Sequence, residues 1–274
     1  MNALDRWAED LRGWGIPEEI LAHAPESPWG FPPELMRRRI SVALAERPTP
    51  SIRRAREALP RGGTVLDVGV GAGAASLPLA ATAAEITGVD SSEEMLAAFR
   101  DAAVRLGVRT RSVCGLWPDV ASEVAPADVV VCHHVLYNVQ DLASFVRALH
   151  GHARRRVVLE ITDRHPLAWM SGLWLRFHGL HRPTGPSADD AAEALAELGL
   201  EVRLERITLR PRSGGFERRE DAVSLVRRRL CLPAERDDEV AEALGDLLVE
   251  SDGLWSAGPV EHTLVTLWWD ADGA

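Results

Sequence analysis

The feature that most constrains the fold is a glycine loop at the end of an apolar run, VLDVGVGAGAAS, at residues 65–76. Gly69, Gly71 and Gly73 alternate with small residues, and glycine permits a positive φ, a tight turn and close contact between the backbone and a ligand. An apolar strand that ends in such a loop is typical of the first strand of a nucleotide-binding sheet. The loop therefore predicts a ligand site at the carboxyl end of that strand.

Strand and helix patterns alternate on both sides of this loop. The β-branched runs are TVLDV, EITGVD, VRTRSVCG, ADVVVCHH and RRVVLEIT, and the segments GAASLPLAATA, SEEMLAAFRDAAVRLG, PDVASEV and DLASFVRALHGH between them read as helices. This alternation predicts a doubly wound α/β fold, with helices on both faces of a parallel sheet. Two later runs, EVRLERITLRP and HTLVTLWWD, complete seven strands. No helix follows HTLVTLWWD, so we expect this last strand to be antiparallel.

The chain divides into two parts on the same patterns. Residues 1–60 contain short helical segments broken by proline and glycine, which predict an N-terminal helical cap. Residues 61–274 are predicted to form the doubly wound domain. Within it, residues 164–186 are rich in Trp, His and Pro and form a candidate substrate lid, and residues 215–250 are predicted to be a helical insertion before the last strand.

Composition excludes several classes of partner. The formal net charge is −10, and nucleic-acid affinity depends largely on neutralising phosphates, so we expect no nucleic acid partner. No run approaches the ~20 apolar residues of a membrane span, and no signal peptide is evident, so no membrane partner and a cytoplasmic location are expected. The three cysteines form no CxxC pair, so no metal site is predicted. The sequence leaves the oligomeric state open.

Two classes of ligand fit the glycine loop. Gly69, Gly71 and Ala74 match the GxGxxA pattern of dinucleotide-binding proteins, so an NAD(P)-dependent oxidoreductase is one interpretation. Asp67 favours another, because a carboxylate at this position repels a pyrophosphate and attracts an ammonium group. Asp67 and the glycines together give D-x-G-x-G-x-G, which resembles the first motif of class I S-adenosylmethionine-dependent methyltransferases.

The resemblance extends over about residues 60–163 and implies a Rossmann-like methyltransferase domain. It implies S-adenosylmethionine as the cofactor and in-line methyl transfer to a small-molecule acceptor. Asp90, at the end of EITGVD, resembles the second-strand acid that binds the ribose hydroxyls. Leu116 stands where the family often has an acid for the adenine, so apolar packing is expected there instead. A non-catalytic cofactor-binding protein is the third interpretation.

The expected cofactor contacts lie on the ends of the first four strands and the loops after them. They are Asp67, Gly69, Val70, Gly71, Gly73, Asp90, Ser91, Met95, Gly115, Leu116, Trp117 and His133.

The predicted fourth strand ends in CHHVLYN, at the edge where the resemblance would place the methyl group. His133 and His134 are candidate bases or pocket walls, and Glu160 in the fifth strand could orient one of them, meet the substrate or pair with an arginine. Neighbours on an extended segment point to opposite faces, so we expect only one histidine to line the site and the two not to share a metal. A base is required only if the acceptor must lose a proton.

The expected acceptor contacts combine polar groups with flat apolar surfaces, as in a pocket for a small ring-containing molecule. They are Tyr137, Asn138, Trp169, Trp174 and His178, with His181 as a further candidate. The alternative for the tryptophans is to cover one face of the sheet. Trp29 and Phe31 could close the cofactor site from the N-terminal side or pack between helices.

Overall fold

The computed structural model describes residues 1–29, 48–210, 215–259 and 261–271. Phe31 and the third predicted N-terminal helix, PPELMRRRISVALAE, lie outside the described residues.

A seven-stranded sheet organises the molecule, with the order β3-β2-β1-β4-β5-β9-β6. Its strands are β1 (Gly63–Val68), β2 (Ala83–Asp90), β3 (Arg109–Cys114), β4 (Ala127–His133), β5 (Ala153–Thr162), β6 (Arg203–Leu209) and β9 (His262–Asp270). The first five strands pair in parallel, and β9 runs antiparallel to both β5 and β6. The predicted mostly parallel sheet of seven strands with an antiparallel last strand is confirmed.

Helices of the described chain flank the sheet and precede it. They are α1 (Ala3–Gly13), α2 (Glu18–Leu21), α3 (Pro50–Ala58), α4 (Glu93–Leu106), α5 (Leu142–Gly151), α6 (Ser171–His178), α7 (Ala188–Glu197), α8 (Arg219–Arg229) and α9 (Asp237–Leu244). Polar side chains cap several of them, as Thr49 does for α3, where its hydroxyl accepts from the Ile52 N–H. None of the helices in the described part of the chain is both long and apolar enough to cross a bilayer.

Two predicted crossover helices are wrong. GAASLPLAATA contains only a 3₁₀ turn at Leu77–Leu79, and PDVASEV contains only one at Ala121–Glu123. Pro78 lies inside the first segment, where it lacks the N–H that an α-helix needs, and the second segment is too short to offset the cost of helix nucleation. The glycine loop is therefore not followed by an α-helix.

The insertion before β9 also differs from its prediction. The helix expected up to residue 250 ends at Leu244, and a hairpin follows, formed by β7 (Leu248–Ser251) and β8 (Leu254–Ala257). Asp252 and Gly253 both have positive φ, as a type I′ turn requires, and the Asp-Gly pair is a hairpin signal that the helical interpretation missed.

The apolar side chains form separate clusters on the two faces of the sheet, with a third cluster in the insertion. Trp7 of α1 is fully buried against the first of these, and its indole N–H donates to the Val139 carbonyl at 2.8 Å. The N-terminal helix therefore shares the core of the sheet. The third cluster joins α6 to α8 and α9, so the candidate lid packs on the insertion.

Candidate functional site

The glycine loop follows β1 and turns through three positive φ values, +73° at Gly69, +51° at Gly71 and +95° at Gly73. A Cβ on Gly69 would lie 2.3 Å from Val135, and one on Gly73 would lie 2.7 Å from Leu77. A Cβ on Gly71 would meet nothing within 4 Å. Two of the glycines therefore make room for the protein's own side chains, and Gly71 is the one that faces open space.

Asp67 lies in the centre of the sheet, where it pairs in register with Gly88 of β2 and Val131 of β4. Its side chain is fully buried, and neither carboxylate oxygen has a hydrogen-bond partner among the described residues. Burial raises the pKa of Asp67 to about 7. The hydroxyl and backbone N–H of Ser76 lie near enough to oppose the rise, although neither makes a hydrogen bond of good geometry, and the Asp90 carboxylate adds to the rise. A buried carboxylate in this state favours a ligand that brings a positive charge or hydrogen-bond donors.

Asp90 ends β2 beside the glycine loop. One of its carboxylate oxygens accepts from the Gly71 N–H at 2.8 Å, and the other accepts from the Ser92 N–H at 2.9 Å. The Asp90 carbonyl in turn accepts from the Gly115 N–H at 2.9 Å, which ties the loop after β3 to the same place. A carboxylate oxygen can accept more than one hydrogen bond, so Asp90 is oriented by the backbone and still able to bind two hydroxyl groups.

The loop after β3 is less open than the sequence suggests. A Cβ on Gly115 would lie 2.3 Å from Val120, so protein packing explains this glycine. Trp117 is buried, and its indole N–H donates to the Phe145 carbonyl at 3.3 Å, which places the ring in the core. Leu116, by contrast, is 64% exposed. Leu116 is thus the apolar side chain of this loop that a ligand can reach.

The other predicted cofactor contacts differ in exposure. Val70 is buried, Met95 is half-buried and Ser91 is exposed.

The two histidines at the end of β4 do not point to opposite faces, so that expectation is wrong. His133 pairs in register with Glu160 of β5, and its Nδ1 lies 3.8 Å from Glu160 Oε1. His134 has a φ of +59°, which breaks the strand alternation, and its Nε2 lies 3.4 Å from the same oxygen. Both imidazoles therefore approach one carboxylate.

Glu160 is buried and also accepts a hydrogen bond of 2.5 Å from the Ser51 hydroxyl at the start of α3. Burial opposes its ionisation, but the two histidines and Ser51 outweigh burial and lower the pKa of Glu160. Burial lowers the pKa of His133 to about 4, so His133 is neutral at pH 7. The sequence analysis did not identify Ser51. Its partner, Glu160, is 109 residues away, and the local sequence Thr49-Pro50-Ser51 indicates only the start of a helix.

The described residues hold no group of three or more His, Cys, Asp or Glu side chains suited to a metal ion.

The predicted acceptor residues do not form one cluster. Tyr137 is buried, and its hydroxyl donates to the Thr162 carbonyl at 2.7 Å, while Asn138 is exposed on the 3₁₀ turn Leu136–Asn138. Trp174 is buried in the third apolar cluster, beside His178, whose Nε2 lies 2.7 Å from the Leu230 carbonyl.

The remaining candidates lie on or near the lid. Trp169 is partly buried beside the Gly258 backbone, and His181 is exposed. Trp29 and Trp174 line one cavity between the N-terminal residues and the lid.

Comparison with known proteins gives a consistent family. A family model described as a methyltransferase domain matches residues 66–159, which run from β1 into β5. A ubiquinone biosynthesis O-methyltransferase of Pseudomonas paraeruginosa is 35% identical over 113 residues, which is 40% of this chain and 48% of that protein. A protein of the same name from Aeromonas salmonicida is 33% identical over 112 residues, 40% of this chain and 47% of that protein. The chain thus spans about half the length of these curated relatives.

Solved structures support the fold. A cyclopropane-fatty-acyl-phospholipid synthase-like protein from Lactobacillus casei superposes with a TM-score of 0.54 at 17% identity and covers 92% of this chain and 98% of that one. A structure described as a putative methyltransferase from Bacillus halodurans gives 0.52 at 16% identity, with 80% and 96% covered. Residues 66–159 therefore match a methyltransferase domain, and the strand order β3-β2-β1-β4-β5-β9-β6 agrees with a Rossmann-like fold of that kind.

Proposed function

We propose that this chain is an S-adenosylmethionine-dependent methyltransferase that acts on a small-molecule acceptor. The observation that carries the proposal is the pair of unpartnered oxygens on the buried Asp67 carboxylate, next to a loop where Gly71 faces open space. The cofactor has an ammonium group, two ribose hydroxyls and a sulfonium methyl. The residues at this edge of the sheet fit those groups.

Each part of the site has a distinct role in the proposal. Asp67 attracts the ammonium group, and the Gly71 backbone leaves room for the methionyl part. Asp90, already oriented by two backbone N–H groups, accepts from the ribose hydroxyls. The bound cofactor supplies an activated methyl group on a good leaving group, so the protein must mainly align the acceptor and exclude water.

The residues beside the lid are the candidate acceptor contacts. The cavity there is lined by Trp14, Trp29, Leu167, Met170, Trp174 and Arg182, among others. Aromatic rings and the guanidinium groups of Arg182 and Arg229 suit a small ring-containing molecule with an acidic or polar group. The names of the curated relatives also refer to O-methylation of a small molecule. The net charge of −10 argues against a nucleic acid acceptor.

Calorimetric titration with S-adenosylhomocysteine tests the proposal. Asp90→Ala should weaken binding by about 1.5 to 3 kcal/mol, or roughly 10- to 150-fold in Kd, which is the range for hydrogen bonds to a charged group. Asp101→Ala is the matched control, because Asp101 is an exposed carboxylate on α4. This variant should bind S-adenosylhomocysteine with the same affinity as the wild type.

The same titration separates the alternative chemistry. NADH should produce no saturable heat with the wild-type chain. Binding of NADH without binding of S-adenosylhomocysteine would instead support a nicotinamide-dependent oxidoreductase and overturn the proposal.

A further inference from the structure

The cavity beside the lid combines aromatic rings with positive charge. Its walls include Trp14, Trp29 and Trp174, together with Arg182 of the lid and Arg229 of α8. The space measures about 290 Å³ when it is counted out to its open mouth, but the enclosed part holds only a group about the size of one water molecule. Trp29 is 54% exposed. A ligand can therefore place a small head group inside and lay a ring against Trp29 at the mouth.

Arg182 is held rigidly at this cavity. Its Nη1 donates to the Gly15 carbonyl at 3.0 Å, and its Nη2 donates to the Trp14 carbonyl. The guanidinium carbon lies 5.2 Å from the centroid of the Trp14 ring and 5.0 Å from that of Trp174. The buried Nε–H has no hydrogen-bond partner among the described residues. The guanidinium is thus fixed between two rings and retains unused donors.

The charge of Arg182 is not neutralised within the described part of the chain. Burial lowers the pKa of Arg182, and no carboxylate of the described residues opposes that shift. The same charge acts on His165, because burial and then Arg182 lower the pKa of this imidazole to about 4. His165 is therefore neutral at neutral pH. A half-buried cation whose protein partners are uncharged favours a ligand that brings a negative charge.

Ring contacts connect this cavity to the carboxyl edge of the sheet. His165, which follows β5, stacks on Trp14 with the ring centroids 3.8 Å apart. The same imidazole meets the ring of Tyr137 at 5.3 Å, and Tyr137 lies on the 3₁₀ turn that follows β4. The cavity therefore adjoins the edge of the sheet that carries the proposed cofactor site.

We propose that the methyl acceptor is an aromatic carboxylate, and that Arg182 selects it by binding the carboxylate while the ring packs against Trp29. This inference rests on the proposed methyltransferase function. Hydrogen bonds from a guanidinium to a carboxylate are among the strong ones, and aromatic rings provide flat apolar contact. A neutral compound of the same shape leaves the cation without a counter-charge and binds more weakly.

Benzoate and benzamide test the selection by charge, because the two probes share a ring and a planar head group and differ in charge. Each is titrated into the full chain in the presence of saturating S-adenosylhomocysteine, and tryptophan fluorescence reports binding. Benzoate should bind about 10- to 100-fold more tightly, which is the effect of a charge-assisted hydrogen bond. Equal Kd values for the two probes would overturn the inference.

Variants of the lid assign the preference to one residue. Arg182→Gln should abolish the preference for benzoate, and Arg182→Lys, which keeps the charge, should retain part of it. Arg176→Gln is the matched control, because Arg176 lies on helix α6 of the same lid with its side chain 50% exposed, and it should keep the full preference. A folded Arg182→Gln variant that still prefers benzoate would overturn the inference.

The wild-type chain provides a readout that does not depend on the folding of Arg182→Gln. The Nε–H NMR signal of Arg182 should shift when benzoate binds and stay in place with benzamide. Bound benzoate with an unmoved Arg182 signal would overturn the inference.

Failure of this inference is separable from failure of the proposed function. Binding of S-adenosylhomocysteine without a preference for benzoate would leave the proposed function in place and overturn the aromatic carboxylate as acceptor. A preference for benzoate that depends on Arg182, without binding of S-adenosylhomocysteine, would support the anion site and remove the proposed function.

Discussion

At the scale of one residue, the buried carboxylate of Asp67 favours a cationic ligand. A buried carboxylate without hydrogen bonds destabilises the folded chain when it is ionised, and the folded protein therefore retains its proton up to a pKa of about 7. A ligand that brings an ammonium group removes this penalty. The same carboxylate thus lowers stability and provides selectivity for the ligand.

The pH dependence of stability should report this state of Asp67. Its folded pKa of about 7 lies above the ordinary aspartate pKa of 3.8, so between these values the folded state holds a proton that the unfolded state has released. The Asp67 contribution to stability is therefore lost as pH rises through that window. Asp67→Asn should raise the free energy of unfolding at pH 8 by about 2 to 4 kcal/mol relative to wild type, and by much less at pH 4.

Urea unfolding at the two pH values measures this difference. Asp101→Asn, the exposed control, should show no such dependence. An equal effect of Asp67→Asn at pH 4 and pH 8 would show that Asp67 is ionised in the folded chain.

The glycine loop permits a second comparison between single residues. Gly69 and Gly71 both have positive φ, but only a Cβ on Gly69 would collide with Val135. Gly69→Ala should therefore cost more stability than Gly71→Ala, by about 1 to 3 kcal/mol of added overpacking. Gly71→Ala should instead have the larger effect on binding. For each kcal/mol of stability lost, it should lose more S-adenosylhomocysteine affinity than Gly69→Ala does. Thermal unfolding and titration of both variants provide the values, and the reverse ranking of stability would contradict the assigned contacts.

At the scale of elements, the sequence predicts strands better than crossovers. The mostly parallel sheet follows from β-branched runs separated by crossover segments, and the antiparallel last strand follows from the lack of a helix after HTLVTLWWD. The segment with Pro78 looked helical by composition, yet one proline limits it to a 3₁₀ turn. The sequence analysis missed the β7–β8 hairpin because it extended helix α9 past Leu244 to residue 250, although Asp252-Gly253 marks the turn.

Substitutions on helix α6 measure whether the candidate lid packs into an apolar core or lies on the surface. Trp174 is only 2% exposed and packs beside His178, so Trp174→Ala should lower the free energy of unfolding by about 3 to 5 kcal/mol. Leu175→Ala, on the same helix and 44% exposed, should cost less than about 1 kcal/mol. S-adenosylhomocysteine affinity should change by less than about threefold in both, since ~0.6 kcal/mol is the scale of an indirect effect. A tenfold loss of affinity in folded Trp174→Ala would place Trp174 at the cofactor.

At the scale of the whole molecule, the N-terminal helix and the sheet share one apolar cluster. Trp7 of α1 is fully buried in the cluster that contains Leu66 of β1 and Leu267 of β9. Trp7→Ala should therefore cost about 3 to 5 kcal/mol, and tryptophan fluorescence and far-UV circular dichroism should report coincident transitions in both proteins. An early fluorescence transition in the wild type would show that α1 unfolds independently of the sheet.

The parts of the site that depend on contacts between distant residues could not be predicted from the sequence. Asp67, Asp90 and the glycines follow from local motifs and from the rule that parallel strands place their carboxyl ends at one edge. The convergence of Ser51, Glu160 and His134 depends on the docking of α3 and on one positive φ, and no local pattern encodes either. The inward side chain of Trp117 escaped prediction for the same reason, because its partner, the Phe145 carbonyl, lies on α5.

A crystal structure of the chain grown with S-adenosylhomocysteine tests the central claim most directly, because it shows which groups each part of the ligand meets. The expected result is a ribose whose hydroxyls bind the Asp90 carboxylate, a methionyl part against the Gly71 backbone and an ammonium group that satisfies the Asp67 oxygens directly or through water. A ligand bound elsewhere, or one that leaves Asp67 and Asp90 without contact, would contradict the proposed site.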